Sequence, residues 1–341
     1  MKWLIKRLLK FTGSQKFLTV QLDITNLCNL TCVYCYRDFS CDSKELSIDD
    51  WFKILDQYKK LLDKLYLSAR FCISGGEPTI SNLFPKILNE LSRRWPNAEI
   101  SVLTNATTIS ESMANSLAKH KACVQISIDG PDEERHDKIR GSGSFNKLMK
   151  GIETLRKSGI DISLQAILSL QTSFWIEDFF KLALKLKINS MNFARFIPQG
   201  RGKILYDKGI DRPLGALELR DAYANIVRCS NDMKIYTDTN KPLFVLISPK
   251  LGWHGKFGFQ GLVIDYMGNL KVSSRTDFIL GNILKDGLEE IFLNHPIMKD
   301  LRAGKIEGCG NCKFYTMCGG DRNASYAAYG SFFKKDPGCW L

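Results

Sequence analysis

Histidine is scarce in this chain of 341 residues: there are four, and the first stands at position 120. A zinc knuckle in the early part of the chain would want a fourth Cys or His close by, and no histidine is there to supply it. Long apolar runs are missing too. The opening residues 1–11 are basic and amphipathic, too often interrupted by charge for a signal-peptide core and too short to span a bilayer. A helix packed over the bottom of the main domain is the first expectation for them, and a membrane-surface helix the second. No transmembrane segment is expected. Acidic residues fall short of basic ones, 36 against 48, which leaves a net charge of +12. That surplus suits an acidic peptide or protein partner, an acidic electron donor, or solubility alone. Dense basic blocks with interleaved aromatics are lacking, so nucleic acid is not expected as a partner. No internal repeat or low-complexity segment is visible.

What is present is mostly ordinary, with 44% hydrophobic and 25% charged residues, enough for one large α/β domain and a smaller appendage. Cysteine is the exception, with eleven residues. Seven of them fall into two clusters at ligand-like spacing, which argues for metal over a disulfide framework and for a reducing, cytoplasmic setting. Cys72 and Cys123 lie in strand-like runs and are expected to be small buried hydrophobes. Cys41 could face a site from the loop after the first cluster, and Cys229 has no assigned role.

After residue 18, apolar strand-like runs alternate with helix-period segments, the mark of parallel β/α construction. Strands are expected near 19–25, 70–74, 99–104, 123–128, 162–168 and 190–195, with amphipathic helices such as Ile48 to Leu65 and Leu83 to Arg94 between them. Six β/α units fit, two short of a closed barrel. Residues 198–202, rich in glycine, read as the exit from the last strand. A helix at about 214–230, a β-rich stretch near 243–275 and a short helix at about 285–293 follow. The expected divisions are 1–17, the basic N-terminal segment; 18–205, the barrel; 206–245, a bridge; and 246–341, a small C-terminal domain.

The first cluster is Cys28, Cys32 and Cys35, spaced Cys-x3-Cys-x2-Cys directly after the first strand-like run. Three thiolates from one loop can hold an iron–sulfur cube with one iron open to an exogenous ligand. Further signals recur at later strand ends. They are Gly75, Gly76, Glu77 and Pro78 after the second, Asn105 after the third, Ser127 and Asp129 after the fourth, and Arg140 just beyond. Glycines allow close backbone approach, Glu77 can accept from a cation, and Arg140 can grip a carboxylate with two hydrogen bonds. Strand C-terminal ends are where β/α barrels build sites.

This order of motifs resembles the radical S-adenosylmethionine (radical SAM) enzymes. The resemblance implies an α/β fold of the partial (β/α)6 TIM-like barrel type, and a [4Fe–4S] cluster on Cys28, Cys32 and Cys35 whose open iron takes SAM. It also implies SAM contacts by Gly75, Gly76, Glu77, Pro78, Asn105, Ser127, Asp129 and Arg140, with Tyr34 packing on the adenine. The catalytic residues beyond these stay unassigned.

The second cluster is Cys309, Cys312, Cys318 and Cys339. By spacing alone, zinc and a [4Fe–4S] cluster fit it equally. The resemblance tips the choice to iron–sulfur, since the pattern matches half of the SPASM extension of radical SAM enzymes. The other half is degraded. Serine stands at 273 after Gly268 where a cysteine is expected, arginine at 322, and no cysteine lies just upstream of Gly268. The resemblance therefore implies one auxiliary cluster in a degenerate SPASM or Twitch-like domain, two [4Fe–4S] clusters in all. It further implies a low-potential electron donor of flavodoxin or ferredoxin type and, as substrate, a ribosomally made precursor peptide that is crosslinked or otherwise modified. Tetrapyrrole modification, as in haem or haem d1 synthesis, is the alternative, and a non-catalytic zinc-bearing binding protein the second.

Overall fold

The computed structural model describes residues 17–37, 44–252 and 261–341. The expectations for residues 1–16 and for Cys41 lie outside these. Alternation of polar and apolar residues makes the strands. In β1 (Phe17–Asp23), Leu18, Val20 and Leu22 are fully buried while Thr19, Gln21 and Asp23 take the opposite face. β2 (Ser68–Ser74), β3 (Glu99–Thr104), β4 (Cys123–Ser127), β5 (Ile162–Leu168) and β6 (Met191–Arg195) follow in parallel register, each beside its predecessor. The helices between them cover the apolar face: α1 (Ile48–Leu65), α2 (Phe84–Arg94), α3 (Glu111–Lys119), α4 (Glu133–Arg140), α5 (Ser144–Lys157) and α6 (Ile176–Lys185). This is the expected open array of six β/α units.

Helix α1 shows how local chemistry sets these elements. Ser47 and Asp50 close a reciprocal capping box at its start, and Tyr66 ends it in the left-handed region. Trp51, Ile54, Leu55, Tyr58, Leu61, Leu62 and Leu65 recur at helical spacing and are all buried. Each such side chain contributes about 1.5–3 kcal/mol of burial.

The sheet does not stop with the sixth strand. Beyond α7 (Gly200–Asp207) and α8 (Ala216–Met233), β7 (Gly261–Ile264) pairs with β1 in parallel. β8 (Asn269–Lys271) and β9 (Ile279–Asn282) then add antiparallel, giving nine strands in the order β6-β5-β4-β3-β2-β1-β7-β8-β9. The C-terminal segment thus continues the barrel sheet at its β1 edge. It also docks on α1, where Gln57 donates to the Ile283 carbonyl and accepts from the Leu288 amide at the start of α9 (Leu288–Asn294). The opposite edge, β6, is capped by other means. Met191 donates to the Tyr236 carbonyl, and the Lys241 ammonium and Arg275 guanidinium donate to the carbonyls of Phe193 and Arg195. The strand ends of β1 to β6 converge on one cavity between these two edges.

Candidate active site

The loop after β1 carries Cys28, Cys32 and Cys35, and all three line a cavity of about 550 Å³. That is ample for a ligand of nucleoside size. The loop is fastened to its neighbours by backbone. Gly76 donates to the Thr25 carbonyl and Glu77 to that of Leu27, both at 2.8 Å, and Val33 donates to Ile139 at the end of α4. This seam explains the paired glycines. A Cβ on Gly75, whose φ is +139°, would lie 2.5 Å from the Thr25 oxygen, and one on Gly76 would lie 2.1 Å from the Leu27 oxygen.

Glu77 is fully buried, and its Oε1 accepts from Thr79 N, Thr79 Oγ1 and Thr104 Oγ1, while Oε2 accepts only the Asn105 amide at 2.7 Å. Burial raises its pKa against the pull of these bonds. Oε2 keeps acceptor capacity beyond that one bond. Asn105 is held by Asn29 from the cysteine loop at 2.9 Å, and its own oxygen accepts from Thr107. Asp129 takes the Ile167 amide on one oxygen and Nε and Nη2 of Arg140 on the other, both at 2.8 Å. Burial works to lower the Arg140 pKa, and Asp129 with the nearby thiols holds it above its ordinary value. His136 is buried with no partner for Nδ1, and burial and then Arg140 lower its pKa to about 4, which suits a packed, neutral ring. The Tyr34 ring packs edge-on against Phe196, and its hydroxyl donates to Asp211.

The expected residues therefore converge: Tyr34, Gly75, Gly76, Glu77, Asn105, Ser127, Asp129 and Arg140 share the cavity with the three thiols. Pro78 does not line it; it starts the buried turn behind Glu77. Cys72 departs from expectation. It stands on the polar face of β2, in register with Gln21 and Ser101, and lines the cavity floor instead of the apolar core. Asn29 and Arg37 escaped sequence reasoning. Arg37 lines the cavity and joins Asp23, Asn26 and the Thr25 carbonyl, and only the fold brings these together.

Three cysteine side chains from one loop, all lining the cavity, are the donor set a cluster would need. Burial pushes the Cys28 thiol up and the Cys32 thiol up to about 11, so a cation bound there would have to displace their protons. Cys28, Cys32 and Cys35 stand close enough for their charges to act on one another.

The second set is assembled from turns. Cys309 N and Gly310 N donate to Ile306, and Cys312 N donates to Cys309. Cys318 Sγ accepts the Leu243 amide at 3.3 Å, and the charge of Cys339 acts on Cys318 as that of Cys309 acts on Cys339. Burial raises Cys318 to about 11 against backbone N–H groups of Gly320 and Leu243, an arrangement that favours thiolate once a metal is bound. At position 322, the buried Arg322 guanidinium fills the space with bonds to the carbonyls of Gly320, Phe332 and Lys334. Ser273 Oγ accepts from the Arg275 amide.

Among the described residues, no helix is long and apolar enough to cross a membrane. Residues 22–183 match the model of the radical SAM superfamily. The chain is 28% identical over 309 residues to mycofactocin maturase MftC of Mycolicibacterium smegmatis, covering 87% of this chain and 76% of that protein. It is 26% identical to Fe-coproporphyrin III synthase of Methanosarcina barkeri, covering 100% of this chain and 92% of that one. Among solved structures, Streptococcus suis SuiB bound to precursor peptide SuiA superposes with a TM-score of 0.75 at 18% identity, over 100% of this chain and 80% of that one. At that identity the likeness concerns the fold.

Proposed function

We propose that the chain is a radical SAM enzyme, as the match of residues 22–183 to that superfamily supports, and that it modifies a ribosomally made precursor peptide by hydrogen abstraction. The observation that carries this reading is the shared cavity: three thiols on one loop line it together with Glu77, from the end of β2, and Asp129 and Arg140, from the unit of β4 and α4. Cys28, Cys32 and Cys35 would hold the [4Fe–4S] cluster. When bound, the cluster and SAM supply one-electron chemistry that generates a 5′-deoxyadenosyl radical. The chain's own groups bind and orient. Glu77 Oε2 would accept from the SAM ammonium, and Arg140, already steadied by Asp129, would offer its remaining N–H groups to the carboxylate. Asn105 and Ser127 would take the ribose, with Gly75 and Gly76 leaving room for the methionine half. Tyr34, its hydroxyl tied to Asp211, would present its ring to the adenine. The cavity walls would shield such a reactive species on the sides they cover.

Cys309, Cys312, Cys318 and Cys339 would hold one further [4Fe–4S] cluster, fully ligated and suited to electron transfer, fed by a flavodoxin- or ferredoxin-type donor. A reducing cytoplasm would keep all seven ligand thiols competent.

Support for a peptide comes from the rest of the lining. Gln21, Gln125, Gln165, Asn240, Ser274 and Asn323 offer neutral donors and acceptors, which complement main-chain amides. The similarity to a mycofactocin maturase points the same way. A tetrapyrrole substrate is the second reading, favoured by the likeness to Fe-coproporphyrin III synthase along the whole chain. Anaerobically reconstituted enzyme, given SAM, reductant and the small peptides encoded beside it, is expected to release 5′-deoxyadenosine with a matching loss of hydrogen mass from one peptide. Tight, saturable binding of Fe-coproporphyrin III, with no peptide altered, would move the assignment to the second reading.

A further inference from the structure

Arg195 ends β6 and lines the cavity, yet its guanidinium reaches 141 positions along the chain to Asp336, with Nη1 and Nη2 at 2.8 and 3.0 Å from the two carboxylate oxygens. Both side chains are buried, at 9% and 0% exposure. The same carboxylate accepts two backbone amides, Asp321 N at 2.7 Å and Gly338 N at 2.8 Å. Each amide sits beside a thiol of the second set: Asp321 follows Cys318 by three residues, and Gly338 immediately precedes Cys339. The Cys339 amide in turn donates to the Asp336 carbonyl. One carboxylate therefore fastens the turns of Cys318 and Cys339 to each other and to the cavity wall. The chain approaches closely only because residue 338 is glycine. A Cβ there would fall 2.6 Å from Arg195 Nη2 and 2.7 Å from Leu219 Cδ2. Asp321 adds a second carboxylate 3.9 Å from Nη1.

We propose that Arg195 and Asp336 are a positioning pair that seats the C-terminal four-thiol site against the substrate cavity and sets its reduction potential. The inference rests on reading Cys309, Cys312, Cys318 and Cys339 as an iron–sulfur site. Its physical content is electrostatic as well as mechanical. Buried charges act strongly on a neighbouring redox centre, and loss of a negative charge favours the reduced, more negative state. A pair that only held the fold together would change stability and leave the potential alone.

The test uses the full-length, reconstituted enzyme, titrated by electron paramagnetic resonance with SAM added so that the signal of the open-iron cluster is displaced. Asp336→Asn is expected to raise the midpoint potential of the SAM-insensitive signal and Arg195→Gln to lower it. The double variant, which restores the charge sum, is expected to return toward the parental value. Arg195→Lys keeps the charge without the planar fork and is expected to keep the potential. Parental potentials in both charge-changing variants, Asp336→Asn and Arg195→Gln, with folding verified by circular dichroism, would overturn the proposal, as would equal shifts for Arg195→Lys and Arg195→Gln. If the parent shows no SAM-insensitive signal, the iron–sulfur reading itself fails. The seating role is then judged on iron-free protein by iodoacetamide labelling of Cys318 and Cys339, read by mass spectrometry against Cys229. Labelling about fivefold or more faster in Asp336→Asn supports it, since released turns open more often; equal rates dismiss it.

Discussion

The loop of Cys28, Cys32 and Cys35 and the segment of Cys309, Cys312, Cys318 and Cys339 both gather thiols, but they are held in different ways. The first loop is laced to adjacent strand ends by main-chain bonds: Thr25 to Gly76, Leu27 to Glu77 and Val33 to Ile139. Its charged neighbours come from the second and fourth β/α units, Glu77 from one and Asp129 and Arg140 from the other. The second set stands on short turns with little regular structure and leans on distant partners, the Leu243 amide and the Arg195–Asp336 pair. A site backed by a sheet keeps its geometry through many local bonds. A site on turns depends on a few long-range ones, so single substitutions should affect the two unequally.

The largest contrast is expected from the thiols themselves. Cys32→Ala should reduce 5′-deoxyadenosine formation to background, whereas Cys312→Ala should leave SAM cleavage within about tenfold of the parent. The parent should hold about eight irons, not about twelve. Iron analysis and chromatographic assay of 5′-deoxyadenosine read both effects, and equal loss in the two variants would erase the distinction. Next in size is the buried pair of the first site. Arg140→Leu leaves the Asp129 carboxylate, 2% exposed, without its partner, and should cost about 3–5 kcal/mol in urea unfolding. It should also weaken SAM binding, measured by equilibrium dialysis.

The seam between β1 and β7 sharpens the comparison from another side. Ile264, in β7 and fully buried, pairs with Leu22 of β1. Ile264→Ala should destabilise the protein by about 2–5 kcal/mol in one transition, because both regions share the sheet. Two separate calorimetric transitions in the parent would show that the regions fold independently.

The smallest effect concerns pH. Burial, then Arg140, lowers the His136 pKa to about 4 in the folded chain, from the ordinary histidine value of 6.5. The unfolded chain thus takes up its proton first, so the contribution is fully present above about pH 6.5 and is lost as pH falls toward about 4. Between about pH 7 and about pH 5.5 this amounts to about 1 kcal/mol. His136→Phe, whose ring can keep the edge contact with Phe145, should flatten that part of the stability curve relative to the parent.

What could be read from the residues followed from locality. The helix Ile48–Leu65 begins and ends as its capping residues and apolar spacing require, and β3 and β5 span the expected residues. Other strands begin or end one or two residues away, since a ladder's ends depend on the neighbouring strand. The site residues Glu77, Asn105, Asp129 and Arg140 were legible because a parallel β/α array sends each strand's exit to one face. Cys72 was misjudged because an apolar-looking run conceals which face of the strand the barrel turns inward.

By itself, then, the sequence determined the six β/α units, the order of the motifs and the two groups of thiols, all of which rest on short-range periodicity and spacing. Only the tertiary structure decided that β7 joins β1, that Arg37 closes on Asp23 and Asn26, and that Asp336 meets Arg195. The first and last depend on chain crossings whose partners lie far apart in sequence, and the second on how the loop after β1 folds back on the strand end; no local pattern encodes which buried charge will meet which.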